Sequence, residues 1–357
     1  MHPLIPWPIF TNTDYDAVLR VMQSGRLIGG NEATLLAQEW ARYMNVAHCL
    51  CVSSCTHALH LALRAIGVQA GDEVIVPALT FCGTTAPIIH CGAVPVFADV
   101  HPRTFNIDPV DVARKISART RAIIPVHLHG LPCDIEELTR SAPGIPIVED
   151  ACQAHGAMIN GVKAGSLGAI GCFSLNQVKP LGGGQGGLVI TQHEGYANLV
   201  RILTSHGSGD HVGYSYGITE LAAAIVRSQL QSLDEHNQRA RSNAHRLSQH
   251  LLGIEDLVPR EPKGAQSTWH KYRLRLPECI DPNSFVQTLA DRGVPADRWP
   301  GSLVPQRSEY RRFATDNYPI AEHVINHSAI IGSEQFPLAS QRSETMDQWA
   351  EIILKAI

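Results

Sequence analysis

The chain has 357 residues, 44% of them hydrophobic, and a net charge of −4. That length supports more than one compact domain. The lack of a long basic run argues against nucleic acid or membrane partners, and no segment is apolar for long enough to span a bilayer. Nine cysteines, scattered without a CxxC pair, argue against a disulfide framework or a zinc site and fit reduced thiols in a cytoplasmic protein.

Met1 to Phe10 is apolar but has no basic flank and contains Pro3, Pro6 and Pro8. It reads as an extended arm rather than a signal peptide. Short apolar runs then predict strands at 48–53, 73–76, 94–98, 122–126, 145–149, 170–174 and 187–191. Helical patterns lie between several of them, at 56–66, 108–116 and 135–141. Continuous apolar strands alternating with helices predict an α/β domain built on a mainly parallel sheet covered on both faces. Thr219 to about Leu252 contains no Pro or Gly and predicts one long helix. Lys271–Leu276 alternates, with Tyr272, Leu274 and Leu276 opposite Lys271, Arg273 and Arg275, and predicts a half-exposed strand. Helices at 283–292 and at the C-terminus, the latter with Met346, Trp349, Ile352 and Ile353, enclose an irregular, substrate-facing stretch from Pro295 to Phe336. The expected division is a large domain at 1–218, a connecting helix at 219–252 and a small α+β domain at 253–357.

Lys179 carries the chemistry. It follows an apolar run and Ser174, and Gly182-Gly183-Gly184-Gln185-Gly186-Gly187 comes directly after. A lysine that forms a Schiff base with a cofactor aldehyde must be partly desolvated so that its amine can be neutral. Upstream, Asp150 ends the run Pro146-Ile147-Val148-Glu149-Asp150. A buried carboxylate at a strand end and a lysine on a later strand are the pair that pyridoxal 5'-phosphate (PLP) enzymes use, the carboxylate keeping the pyridine nitrogen protonated. A phosphate needs an anion site, and Ser54-Cys55-Thr56-His57 ends a strand and opens a helix whose N–H groups suit one. An ordinary N-cap by Ser54 or Thr56 explains the same residues. Ser174 is either a second phosphate contact or a strand-terminal serine bonded to backbone. Phe81 is either a ring stacked on the pyridine or a core residue. Gln153 suits the cofactor's ring hydroxyl, and His155 reads as structural. The glycines at 182–187 are either a plain hairpin turn or backbone passing close to something bulky, as their number suggests, and match neither a P-loop nor a dinucleotide fingerprint. His127 and His129 have no acidic partner nearby in sequence, and His323 and His327 lack the Glu of an HExxH motif, so no metal site is expected.

Four segments together resemble the DegT/StrS family of PLP-dependent aminotransferases: Gly71–Pro77, Pro125–Gly130, Glu149–Ala157 and the Lys179 segment, in the right order at the right intervals. Thr56–Leu59 and Asn326–Gly332 look most like the inosose aminotransferase and aminohydroxybenzoate synthase branch. The resemblance implies fold type I (aspartate aminotransferase-like) and a homodimer with shared active sites. It implies an amino-acid donor, glutamine or glutamate, and a keto sugar or keto cyclitol acceptor. It assigns Lys179 to the Schiff base, Asp150 to the pyridine nitrogen, Gln153 to the ring hydroxyl and Phe81 to the stack. Thr56, His57 and Ser174 fall to the phosphate, with Ser215 reaching it from the partner, and Ser54 and Cys55 at the helix start complete the expected cofactor-binding set. Three departures stand out. The family's Ser-Gly-Thr is Ser54-Cys55-Thr56 here, its Gly-Glu-Gly-Gly is Gly184-Gln185-Gly186-Gly187, and its Asn-x-Arg is Ser215-Tyr216-Gly217. Gly217 cannot hold a carboxylate, so Arg298 or Arg227 is a candidate for the missing cation. The departures keep two alternatives open: a PLP enzyme that decarboxylates, eliminates or condenses, and a non-enzymatic PLP-fold regulator.

Overall fold

A computed structural model describes residues 2–252, 258 and 261–357. Met1 and the expected boundary at 253 lie outside the described residues. The centre is a sheet formed by β1 (His48–Val52), β2 (Glu73–Pro77), β3 (Val94–Ala98), β4 (Thr120–Ile123), β5 (Val148–Asp150), β6 (Ile170–Ser174) and β7 (Gly187–Thr191). A three-stranded part ordered β3-β2-β4 meets a four-stranded part ordered β5-β6-β7-β1 through the parallel bridges Ile123–Ile147 and Val126–Asp150. All neighbours run parallel except β7, which is antiparallel to both β6 and β1. Every residue of β2, β6 and β7 is buried, as expected of strands covered on both faces.

The carboxyl ends of the parallel strands meet at one edge, and the ends of β1, β5 and β6 deliver Ser54, Asp150 and Ser174 there. Ligands of open α/β sheets bind in such crevices. Lys179 reaches the same edge from the β6–β7 connection. It sits in a turn rather than on a strand: its N–H donates to Asn176 O at 2.9 Å, and Asn176 Oδ1 accepts from Val178 N at 3.2 Å. An asparagine that closes its own backbone in this way competes with strand pairing.

The stretch 219–252 is two helices, α8 (Glu220–Leu230) and α9 (Leu233–Leu251), not one. Gln231 N donates to Ser228 O and Ser232 N to Gln229 O, so the chain tightens into a turn. The two helices serve different cores. Ala222, Ala223 and Val226 of α8 pack with the sheet, whereas Ala240, Ala244, Leu247 and Leu251 of α9 belong to a second core with Trp269, Tyr272, Phe285, Met346 and Trp349. No glycine or proline is needed, because the change of core turns the chain.

The second core lies against a three-stranded antiparallel sheet of β8 (Tyr272–Arg275), β9 (Ala296–Asp297) and β10 (Ser328–Ile331), ordered β8-β10-β9. The half-exposed strand is a further correction, since Lys271 is 6% exposed and Arg273 1%. The polar face of the strand turns inward, where Arg273 donates to His129 Nε2, Ser328 Oγ and the Trp299 carbonyl. The stretch 295–336 is also more regular than expected, since it holds β10 and the helix Pro319–Asn326. Part of it packs on the large core: Val304 N donates to Ala78 O, and Asp99 accepts from Ile320 N and Ala321 N.

Helices Asn12–Ser24, Glu32–Met44, Cys82–His90 and Glu194–Thr204 add to the expected elements. Pro87 and the pair Thr84-Thr85 conceal the third of these. Residues 2–11 form neither helix nor strand, and Trp7 Nε1 donates to Lys179 O at 3.2 Å. All nine cysteines are free, and no described helix is long and apolar enough to cross a membrane.

His127 does have an acidic partner. Glu149 lies on the neighbouring strand, and the two are fully buried with His127 Nε2 2.9 Å from Glu149 Oε2. His127 Nδ1 accepts from Cys133 N, which leaves the ring proton on Nε2. Glu149 also accepts from the N–H groups of Gly165, Leu167 and Gly168. Glu149→Ala strands all four donors in the interior and is expected to lower unfolding free energy by roughly 3–5 kcal/mol. Urea titration checks this, and a loss under about 1 kcal/mol contradicts it.

Candidate active site

A cleft of about 420 Å³ opens at the carboxyl edge of the sheet. Ser54, Cys55, Thr56, Phe81, Asp150, Gln153, Ser174 and Lys179 all line it. Two of the expected residues do not. His57 stacks on Tyr216 with ring centroids 3.7 Å apart and bonds Ser53 Oγ through Nδ1, and Ser215 is exposed to solvent.

Asp150 is 3% exposed. Its Oδ2 accepts from Thr84 Oγ1 at 2.8 Å and its Oδ1 from Cys152 N at 3.1 Å. Thr84 is in turn bonded to Thr80. Among the described residues no lysine, arginine or histidine forms an ion pair with Asp150. A buried carboxylate with only neutral partners favours a cation from outside the chain, and a protonated pyridine supplies one.

Ser54 caps the helix α3 (Cys55–Ala65), accepting from His57 N at 3.1 Å. The cap is thus real, and the helix start still faces the cleft through Ser54, Cys55 and Thr56. A Cβ on Gly83 would lie 3.2 Å from Thr56 Oγ1 and closer still to the Phe81 ring. Glycine at 83 therefore keeps the wall open beside a hydroxyl and a helix N-terminus, a setting suited to phosphate. Phe81 is half-exposed on the cleft wall and is not a core residue. Gln153 Oε1 accepts from His129 N at 2.8 Å, which leaves its amide nitrogen as a donor for a ring hydroxyl.

The glycine run does pass close to a neighbour, and that neighbour is protein backbone. Added Cβ atoms would meet Gln177 O from Gly182, Ala222 O from Gly183 and Ser54 O from Gly187, at 2.9, 2.8 and 2.5 Å. These glycines let the chain pack against protein backbone, and Gln185 alone of this run lines the cleft.

Neither proposed substitute cation reaches the cleft. Arg227 is held by Glu32 and Glu39, and Arg298 bonds Asn283 and Ile325 O. Among the lining residues that sequence reasoning missed are Lys271, Trp299 and Glu334. Lys271 was hidden in the apparently outer face of the strand expected at 271–276, and the other two in the stretch read as irregular. Burial pulls the Lys271 ammonium below its ordinary value, with Asp297 and Glu334 opposing and Lys179 adding to the fall. Burial also pushes the Cys55 thiol up to about 12 and the Cys152 thiol well above its ordinary value. Their sulfurs and an Asp150 oxygen lie within 4.8 Å of one another.

The sequence pattern of the DegT/DnrJ/EryC1/StrS aminotransferase family matches residues 8–335. The chain belongs to that family. A UDP-N-acetyl-3-dehydro-alpha-D-glucosamine 3-aminotransferase of Acidithiobacillus ferrooxidans is 34% identical over 95% of this chain and 92% of its own length. The L-glutamine:2-deoxy-scyllo-inosose aminotransferase of Streptomyces fradiae is 39% identical over 76% of this chain and 72% of its own. The crystal structure of S. venezuelae DesV with a ketimine intermediate superimposes with a TM-score of 0.90 at 30% identity, over 99% of both chains. Family membership makes this protein a PLP-dependent aminotransferase of fold type I, and the cleft residues fit that cofactor. Asp150 would hold the pyridine nitrogen and Lys179 the aldehyde carbon, with the start of α3 and Ser174 facing the phosphate.

Several histidines near the site are kept neutral. Burial, with the charges of His90 and Arg64, holds His60 down to about 4, and burial with Lys179 holds His155 down to about 3. In the unfolded chain both take a proton near their ordinary value of 6.5. Their stabilising contribution is therefore complete above that value and is lost as pH falls toward 4, at up to about 1.4 kcal/mol per pH unit for each. Urea midpoints measured across this range are expected to drop with acid, and the slope should shrink in His155→Phe. A flat profile overturns the assignment.

Proposed function

We propose that this protein moves an amino group from glutamine or glutamate to the ketone of a keto sugar or keto cyclitol, in a cytoplasmic pathway of sugar or secondary-metabolite (antibiotic-type) biosynthesis. The observation that carries the reading is the convergence of Lys179, Asp150, Ser174 and the start of α3 on one cleft, in a chain whose relatives bear the names of glutamine-dependent inosose and keto-sugar aminotransferases.

PLP, when bound, supplies the electron sink. The residues of this chain do the rest. Asp150 holds the proton on the pyridine nitrogen, and its bonds to Thr84 and Cys152 N keep the carboxylate turned toward it. Lys179 Nζ takes the proton from the donor's amine-bearing carbon as general base and passes it on as general acid within the same half-reaction, and in the second half it runs the transfer in reverse, delivering a proton to the carbon that was the ketone. Gln153 fixes the ring hydroxyl, and Phe81 covers one face. Ser54, Cys55, Thr56 and Ser174 hold the phosphate.

Lys179→Ala is expected to abolish amine transfer and the visible absorption that PLP gains on a lysine, while the variant stays folded. Turnover like that of the wild type would refute the reading.

The working form in this proposal is a homodimer whose sites are completed across the interface. Tyr15, Leu19, Met22, Leu27 and Ile28 are large apolar residues left exposed along the N-terminal helix and the turn after it, a surface suited to a second copy. Ser215 is exposed and does not line its own cleft, although Ser53 N beside it bonds Tyr216 O. That placement supports its reaching a neighbour's phosphate, with His57 acting as a platform under Tyr216. Mixing Lys179→Ala chains with chains disrupted at 213–217 is expected to restore part of the activity lost in each homodimer. No recovery despite proven subunit exchange means that each site is built within one chain.

A further inference from the structure

The cleft contains a second lysine. Lys271, just ahead of β8, is 6% exposed, with Nζ 5.3 Å from the centroid of the Trp299 ring and 3.6 Å from Glu334 Oε1. Among the described residues that line the cleft, Lys179 and Lys271 are the lysines, and no arginine is present. Lys179 is committed to the cofactor. Gly217 offers no charge, and Arg227 and Arg298 are tied down elsewhere. Lys271 is therefore the cation the cleft keeps for a substrate.

We propose that Lys271 binds the α-carboxylate of the amino-acid donor. The inference rests on the aminotransferase reading and names the residue that recognises its first substrate. An amino acid carries amine and carboxylate on the same carbon. Its amine has to take the place of Lys179 Nζ, so its carboxylate comes to rest a few bonds away, inside the same cleft. A keto sugar or keto cyclitol has no anion on the carbons beside its ketone and makes no such demand.

The surroundings of Lys271 suit a site that exchanges partners. The Glu334 contact at 3.6 Å is longer than a good hydrogen bond, and the Glu334 side chain is 47% exposed. A substrate carboxylate can displace this loose counter-ion into water without leaving a buried ammonium unpaired. Trp299 packs on the lysine and fixes where the charge sits. Arg273, two residues on, cannot serve, because His129, Ser328 and Trp299 occupy its guanidinium.

The test separates the two half-reactions in Lys271→Gln and in Lys271→Met, which keeps the packing on Trp299 and stands in if the glutamine variant fails to fold. Visible absorption of the bound cofactor reports loading, glutamate or glutamine drives the first half, and the ketone drives the second. The donor's half-saturation concentration is expected to rise about 10–100-fold, the loss of one charge-assisted hydrogen bond. The ketone's should move less than about threefold and cofactor loading should not change, which a merely structural lysine would not produce. Calorimetric binding of 2-oxoglutarate to the resting enzyme should weaken in parallel. An unchanged donor value, or equal rises for donor and ketone, overturns the proposal. If no amino acid reacts with the wild type, the aminotransferase reading fails, and the 2-oxoglutarate titration still decides whether Lys271 binds a carboxylate.

Discussion

A carboxylate buried without a cation is the constraint around which this molecule is arranged. Asp150 ends a strand in the middle of the sheet, where its partners among the described residues give it hydrogen bonds but no ion pair. Such a group is costly in the apo chain and becomes favourable when a protonated ring meets it. The Thr80–Thr84–Asp150 chain keeps the carboxylate oriented meanwhile. Its neighbour Glu149 shows the opposite solution one residue away. That carboxylate is also fully buried, but four donors from its own chain satisfy it, so it holds the scaffold and takes no part in the chemistry.

The cleft is not the property of the large sheet alone. Lys271 and Glu334 flank the small sheet, and Trp299 follows its edge strand. Residues proposed to hold the cofactor come from the large sheet's carboxyl edge, and those proposed to meet the substrate come from the other side. That division explains why the polar face of β8 is buried. Arg273 and Lys271 are turned into the seam between the two cores, where charge is useful and can be paired.

Much of this was legible from the sequence. The seven strands of the large sheet were visible because strands buried on both faces leave unbroken apolar runs. Lys179 and Asp150 stood out because a lysine before glycines and a carboxylate closing an apolar run both break local rules that only function rewards. What stayed hidden depends on tertiary context. Alternation in 271–276 shows that the strand has two faces but not that a second surface covers the polar one. The turn at Gln231–Ser232 has no breaker residue, because it is imposed by the choice of core. The pairing of His127 with Glu149 joins adjacent strands separated by a helix, and no sequence spacing reports it. The glycines at 182–187 did signal close approach, but what approaches is the helix start at Ser54 and the backbone of α8.

The reversed direction of β7 has a topological consequence. A strand that joins its neighbour in parallel must be entered from the far edge, after a crossover of a dozen or more residues. Because β7 runs antiparallel to β6, residues 175–186 never leave the carboxyl edge. The chain spends the whole connection beside the cleft, folded on itself, and Lys179 is presented partway along it. One inverted strand thus converts what would have been a passage across the sheet into a pedestal for an amine. Insertions in this connection would move that amine directly, whereas insertions in the crossovers on either face of the sheet would leave its position unchanged.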